Sequence, residues 1–393
     1  MPRGRGRAGA NTTTNTPRSS SGEGLQPRTG AVVIDMGTRS CRAGFSGQQT
    51  PIAEINTLVS CPVAQPIGTE DRSKAVVGEE AHPNTEVLDP MQNGIIANWE
   101  AARTLWQHVF DHELRVPPEE YPLLITEPLL SPTTHREKMV EVVFESLGSL
   151  GFFVAQQPVL STYAYGRMSG LVVDMGYATS HAVPVHEGYS LAYATERIEL
   201  AGSHLSWYLL TLLGDTGCVL NNEVVRMAED IKHKCCYVAS NFESECQLPS
   251  ASCALDFPLP DGQTITLSKE RFQCPEILFK PLPNWDISNV GIHEMTRRSL
   301  DRLPEDIRST MCKNILLCGG SSLFMGLEKR FCSELLQILP PNTDVRVEAV
   351  PLRRHSAWTG GSILSSLKNF QTWWIRRDEY EEEGPRIVHQ RCY

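Results

Sequence analysis

The feature that most limits what this chain can fold into is a design that occurs twice. Val32-Val33-Ile34 is a β-branched run that ends in Asp35-Met36-Gly37-Thr38, and a second short run, 40–45, follows it. The pattern predicts strand, tight turn, strand, with a carboxylate, a glycine and a hydroxyl at the tip. Such a tip can offer one acid and bare backbone N–H groups to an ion or a phosphate. A single Asp-x-Gly turn is commonplace and says little. The design returns, however, in Gly170-Leu171-Val172-Val173-Asp174-Met175-Gly176, followed by a polar strand over 180–185. Two such hairpins in one chain predict two related halves facing each other across a cleft. A third buried run, Asn314-Ile315-Leu316-Leu317-Cys318, leads into Gly319-Gly320-Ser321-Ser322. Its glycines would let a flat ligand approach the backbone closely.

At 393 residues the chain is long enough for two domains with their own cores. A net charge of −10 argues against wholesale nucleic-acid binding. No apolar run is long enough to cross a bilayer, and the N-terminus lacks the apolar core of a secretory signal. The 12 cysteines are scattered and include no Cys-x-x-Cys, which predicts reduced thiols in cytosol or nucleus rather than disulfides or zinc. Residues 1–29 are rich in Gly, Ser, Thr, Asn, Pro and Arg, and are expected to form a disordered basic tail. The tail reads as a tether for an acidic partner or nucleic acid, or as a plain solvated leader.

Along the chain, helices are expected over 98–114, over 222–237 with Lys232 and His233 on an exposed polar side, and over 327–339. Another is expected from Ser131 as N-cap with Pro132 at the first helical position. A further helix is expected over 362–370, with Gly360-Gly361 before it serving tight packing or N-terminal anion binding.

These blocks, taken together, resemble the actin superfamily over 31–393. The matching stretches include Asp35-x-Gly37 with Ala43-Gly44-Phe45, Gly94-Ile95-Ile96 with Asn98-Trp99, Glu113-Leu114-Arg115-Val116, Arg136-Glu137-Lys138-Met139 and Tyr163-Ala164 with Gly166-Arg167. They continue in Cys236-Tyr237-Val238-Ala239, Leu259-Pro260-Asp261-Gly262, Gly291-Ile292-His293-Glu294 and Trp358 with Gly360-Gly361-Ser362-Ile363-Leu364. The chain is similar to the divergent actin-like members, of the male germ-cell type, rather than to conventional actin. The resemblance implies an α/β fold of two ribonuclease-H-like domains around an adenine-nucleotide cleft. The small domain is expected over 30–164 plus 356–393, and the large one over 165–355.

By the same resemblance, Asp35 and Asp174 face each other and hold a divalent cation, Mg2+ or Ca2+, mostly through water, accompanying ATP or ADP. Gly37, Thr38 and Gly176 meet the phosphates, and Arg42 stands where the family usually has a phosphate-reaching lysine. Gln157 positions the attacking water and His181 assists it. Lys232 and Gly319, Gly320 and Ser321 fall on the nucleoside side, with Arg354 near the base. Three departures imply a degenerate cleft with weakened binding and slow or absent hydrolysis. Arg39 stands at a turn position that is glycine in actin, where it would reorient outward or crowd the phosphate. Tyr177-Ala178 replaces an Asp-Gly pair, and His233 replaces a ribose-binding glutamate.

Filament contacts also depart from the family. The segment 63–75 and the stretch Pro283-Asn284-Trp285-Asp286 replace apolar docking elements, so no homofilament is expected. The groove between the lower ends of the domains looks retained in Tyr163, Ala164, Gly166, Tyr189, Leu364 and Leu367. Met168, Asn369 and Trp373 are altered there, which implies different partner helices. The expected role is a monomeric, cytoplasmic, cytoskeleton-associated interaction protein that works within a larger assembly. The alternatives are a slow ATPase and an actin-related subunit of a nuclear chromatin complex.

Overall fold

The computed structural model describes residues 30–62, 75–78, 85–283, 285 and 290–392. The tail 1–29, nearly all of the 63–75 segment, and Asn284 and Asp286 lie outside the described residues.

Both acid-tipped hairpins form. In the first, β1 (Val32–Met36) pairs antiparallel with β2 (Ser40–Phe45). In the second, β3 (Gly170–Met175) pairs antiparallel with β4 (Ser180–His186). The repeat extends to the neighbours of each hairpin. The other edge of β1 carries the parallel strand Pro122–Glu127, and the other edge of β3 carries the parallel strand Ile315–Cys318. Each hairpin thus sits inside a six-stranded mixed sheet. The first sheet runs Ile375–Arg376, Gly151–Gln156, Pro122–Glu127, β1, β2, Ala53–Asn56. The second runs Tyr189–Ser190, β4, β3, Ile315–Cys318, Val347–Glu348, with Glu196–Ile198 also on β4. Val32, Val33, Ile34, Leu171, Val172 and Val173 are fully buried, as unbroken apolar strands covered on both faces must be.

Two large cores follow from the two sheets, with a smaller cluster in which Leu129 packs with Val172, Val183 and Leu316. One gathers residues between Ala31 and Leu160 together with Trp358 to Cys392, around Trp106, Phe110, Phe152 and Trp358. The other gathers residues between Leu171 and Leu339, around Leu205, Phe331 and Met295. Two helices lie where the chain passes between them: α1 (Gln157–Ala164), which leads from the first sheet towards β3, and α2 (Ser356–Ser366), which leads back. They pack backbone to backbone, since a Cβ on Gly360 would fall 1.8 Å from the Leu160 carbonyl oxygen.

Several local expectations are corrected. Gly360 and Gly361 lie inside α2, fully enclosed, so they serve tight packing and not an N-terminal anion site. The helix after Ser131 starts at Thr133 with Pro132 at the cap, because the Ser131 hydroxyl turns back to donate to the Pro128 carbonyl at 2.9 Å. The helix from Trp99 is capped by Asn98 and ends its α-helical part at His108, continuing as a wider π turn over Val109–Leu114. In the helix Asn222–Cys235, His233 is exposed as expected but Lys232 is buried at 1% exposure. Among the described residues no helix is long and apolar enough to cross a membrane.

Candidate functional site: a cleft between twin hairpins

The turn after β1 closes with the Gly37 N–H donating to the Ser40 carbonyl at 3.0 Å, and the turn after β3 repeats this with Gly176 and Thr179 at 3.1 Å. These turns and Gly319-Gly320-Ser321 border one cleft of about 180 Å³. Asp35, Gly37, Thr38, Arg42, Gln157, Asp174, Gly176, His181, Lys232, Gly319, Gly320, Ser321 and Arg354 all line it. The structure therefore gathers around one cavity every residue singled out for nucleotide and catalysis.

The two hairpins place their polar pairs in the same register: Asp35 faces Arg42, and Asp174 faces His181. Asp35 is buried and saturated from three directions. Its Oδ1 accepts from Thr126 Oγ1 at 2.7 Å and from Gln157 Nε2 at 3.0 Å, while Oδ2 pairs with Arg42 Nη1 at 3.2 Å. The second guanidinium nitrogen of Arg42 reaches Ser40 Oγ at 2.9 Å and Glu54 at 3.3 Å. Burial would raise Glu54, but His355, Arg42 and Arg354 around it hold its carboxyl down at about 2. Asp174 goes the other way: burial, then the nearby Asp35 charge, push it up to about 6, with Arg42 partly offsetting. Burial, helped by the Arg197 charge, pushes His181 down to about 4, so its imidazole is neutral at physiological pH. Its buried Nε2 has no hydrogen-bond partner among the described residues.

Elsewhere on the cleft wall, the Lys232 ammonium donates to the Gly202 carbonyl, Ser206 Oγ and Glu229, each at 2.8 Å. All three of its donors are thus satisfied inside the protein. Ser321 Oγ ties the third loop to the second hairpin by donating to the Gly176 carbonyl at 3.0 Å. Arg354 pairs with Glu54 at 2.5 Å, so its charge bridges to the first sheet. Arg39 lines the cleft with its guanidinium 5.7 Å from the ring centroid of Tyr177 on the opposite hairpin.

The residues present fit a nucleotide. Gly319 takes φ of +84°, and a Cβ on it would lie 2.3 Å from Asp174 Oδ1, while a Cβ on Gly320 would meet nothing within 4 Å. The first glycine lets two loops close up, and the second leaves bare backbone facing free space where a flat base or a phosphate can lie. The same residues offer a divalent cation few direct protein ligands. Among the described residues no group of three or more His, Cys, Asp or Glu side chains could hold a metal. Of the two acids at the hairpin tips, Asp35 already carries a guanidinium.

A second cavity, of about 540 Å³, lies on the other side of α1 and α2. Tyr163, Gly166, Met168, Tyr189, Leu364, Leu367 and Trp373 line it, as does Asn369. Ala164 does not; it closes α1 just outside the lining. Phe153, Val159, Ile363 and Phe370 also contribute and were missed. Their sequence signal is only that of ordinary strand and helix core positions. Thr126 and Glu54, which do not line the cleft but hold its Asp35 and Arg42, were missed for a similar reason, since each is a polar residue within a strand.

Comparison with known proteins agrees with this geometry. A family model described as Actin matches residues 26–393. Actin-like protein 9 of Bos taurus is 46% identical over 380 residues, covering 96% of this chain and 91% of that protein. Actin-like protein 9 of Homo sapiens is 47% identical over 373 residues, covering 94% and 89%. Actin-like protein 7A of Macaca fascicularis is 40% identical over 373 residues, covering 94% and 85%.

Proposed function

The chain belongs to the actin family, and from that premise we propose that it is a protein-interaction module that holds an adenine nucleotide as a structural element and turns it over slowly or not at all. The observation that carries this reading is the contrast between the two cavities. The groove beside α1 and α2 is broad and apolar, and it leaves Met168, Tyr189 and Trp373 at 58%, 61% and 47% exposure. An apolar channel of that kind accepts one face of an amphipathic helix. The cleft, by contrast, is small and internally bonded. Gln157, the candidate for positioning water, has its amide nitrogen held by Asp35 and by Thr126 at 3.2 Å.

Members of this family bind ATP or ADP with a divalent cation. For this chain we assign the nucleotide to the cleft between 30–164 plus 356–393 on one side and 165–355 on the other, a division supported by the two large cores. A monomer within a larger assembly is favoured over a homofilament by the sequences at 63–75 and 283–286, which lack apolar docking elements. A basic tail at 1–29 adds a second attachment point. The cytoplasmic, cytoskeletal and male germ-cell setting rests on the divergence from conventional actin; immunolocalisation across tissues checks it.

The test is to measure binding of an amphipathic helical peptide and ATP turnover on the same preparation. Leu367→Asp should weaken peptide binding by roughly tenfold or more, as truncation of a buried apolar anchor does, with the thermal midpoint unchanged. Turnover equal to that of conventional actin, with no peptide binding, would favour the ATPase reading instead.

A further inference from the structure

A polyphosphate entering this cleft meets Asp35 and Asp174 at the hairpin tips. Like charges so close require a counter-charge, which a bound divalent cation ordinarily provides. Five cationic side chains border the cleft: Arg39, Arg42, Lys232, Arg353 and Arg354. Three are committed elsewhere, Lys232 to Gly202, Ser206 and Glu229, Arg353 to Ser322 and Val350, and Arg354 to Glu54. The other two stand at the phosphate end.

Arg42 is placed by the β1–β2 ladder directly opposite Asp35 and binds it at 3.2 Å, while its other terminal nitrogen reaches Glu54 at 3.3 Å, a carboxylate that Arg354 and His355 also hold. The opposite Asp35 oxygen is already shared by Thr126 and Gln157. Asp35 thus enters any complex with its charge met and about three of four lone-pair positions occupied. Arg39 is held from the far hairpin by the Tyr177 ring. Among the described residues its guanidinium has no acidic or hydrogen-bonding partner. A planar guanidinium held at a cleft mouth suits the paired oxygens of a phosphate.

We propose that Arg42 and Arg39 supply from within the chain the counter-charge a polyphosphate needs here, so that the cleft retains an adenine nucleotide without a divalent cation. Arg42 neutralises the acid at the first tip, and Arg39 takes the terminal phosphate, oriented by Tyr177. The inference rests on the reading of the cleft as a nucleotide site.

The full chain, loaded with etheno-ATP and chased with unlabelled ATP, tests it by the rate of fluorescence loss in Mg2+ and in excess EDTA. The two rates should agree within about twofold, while Arg39→Ala speeds release by roughly tenfold in both buffers, as loss of a charge-assisted pair does. Arg42→Lys, which keeps the charge and loses the fork, should speed release less than Arg42→Ala. Release about tenfold faster in EDTA, or rates indifferent to Arg39→Ala, would overturn the proposal. Failure to load in either buffer would instead overturn the nucleotide reading, and this inference with it.

Discussion

Arg39 lies over Tyr177, its guanidinium carbon 5.7 Å from the ring centroid, so the tips of the two hairpins touch side chain to side chain. Each belongs to a different hairpin, and the two meet across the cleft. A half-buried contact of this kind contributes about 0.5–1 kcal/mol. Tyr177→Ala should therefore raise amide exchange in the turns at 36–40 and 176–179 by roughly two- to fivefold. Tyr177→Phe should not. Identical exchange in Tyr177→Ala and the parent chain would show that the stack holds nothing.

Asp174 gives the cleft a pH signature. Its carboxyl is pushed up to about 6 in the folded chain. A raised carboxylate contributes stability that is fully present below its unfolded value and is lost as pH rises through the folded one. Asp174→Asn should therefore stabilise the chain at pH 7.5 by roughly 1–3 kcal/mol and have no effect near pH 3. Urea midpoints across that range check it, and a gain that grew towards low pH would contradict the assignment.

His181 acts with the opposite phase. Its folded value of about 4 lies below the ordinary imidazole value, so its contribution is complete above about 6.5 and disappears as pH falls through 4. Replacing it with Gln should flatten the acid limb of the stability curve between those values. An unchanged acid limb in His181→Gln would count against a buried neutral imidazole.

Lys232 should behave as a structural cation. Lys232→Met strands Ser206, the Gly202 carbonyl and Glu229, and loss of one partner of a buried pair costs about 3–5 kcal/mol. Nucleotide affinity, measured well below the unfolding transition, should change little. A large loss of affinity with full stability would place the ammonium on the ligand.

The glycines separate folding from binding. Gly360→Ala forces a side chain into the Leu160 carbonyl and should abolish the soluble folded chain. Gly320→Ala meets no protein atom and should leave the thermal midpoint unchanged while lowering nucleotide affinity. Equal affinity in Gly320→Ala would mean that the ligand lies away from that backbone.

The twin hairpins were legible because β-branched runs buried on both faces leave little freedom of interpretation, and because the acid, glycine and register repeat between them. Lys232 was misread because the helix shows a polar side at the right period. Nothing local reveals that Glu229, one turn earlier, and Ser206 on another helix turn that lysine inward. Arg42 was legible as a cation of the cleft, but its bond to Glu54 depends on β2 lying against the strand Ala53–Asn56. The Gly360-Gly361 pair looked like helix punctuation. Its actual role needs a second helix, 200 residues away in the chain, to supply the Leu160 carbonyl (360 − 160). Pairings across the fold leave no periodic trace, and these were the features that sequence alone did not fix.

The crossing of α1 and α2 has a consequence for both cavities. Gln157, Pro158 and Ser161 of α1 and Ser356 and Ala357 of α2 border the cleft, while Val159, Tyr163, Ile363 and Leu364 of the same helices border the groove. With the Gly360 backbone seated on Leu160, no side chain fits between the two helices where they cross. One helix pair is thus a party wall, and a substitution in it changes the lining on both sides at once.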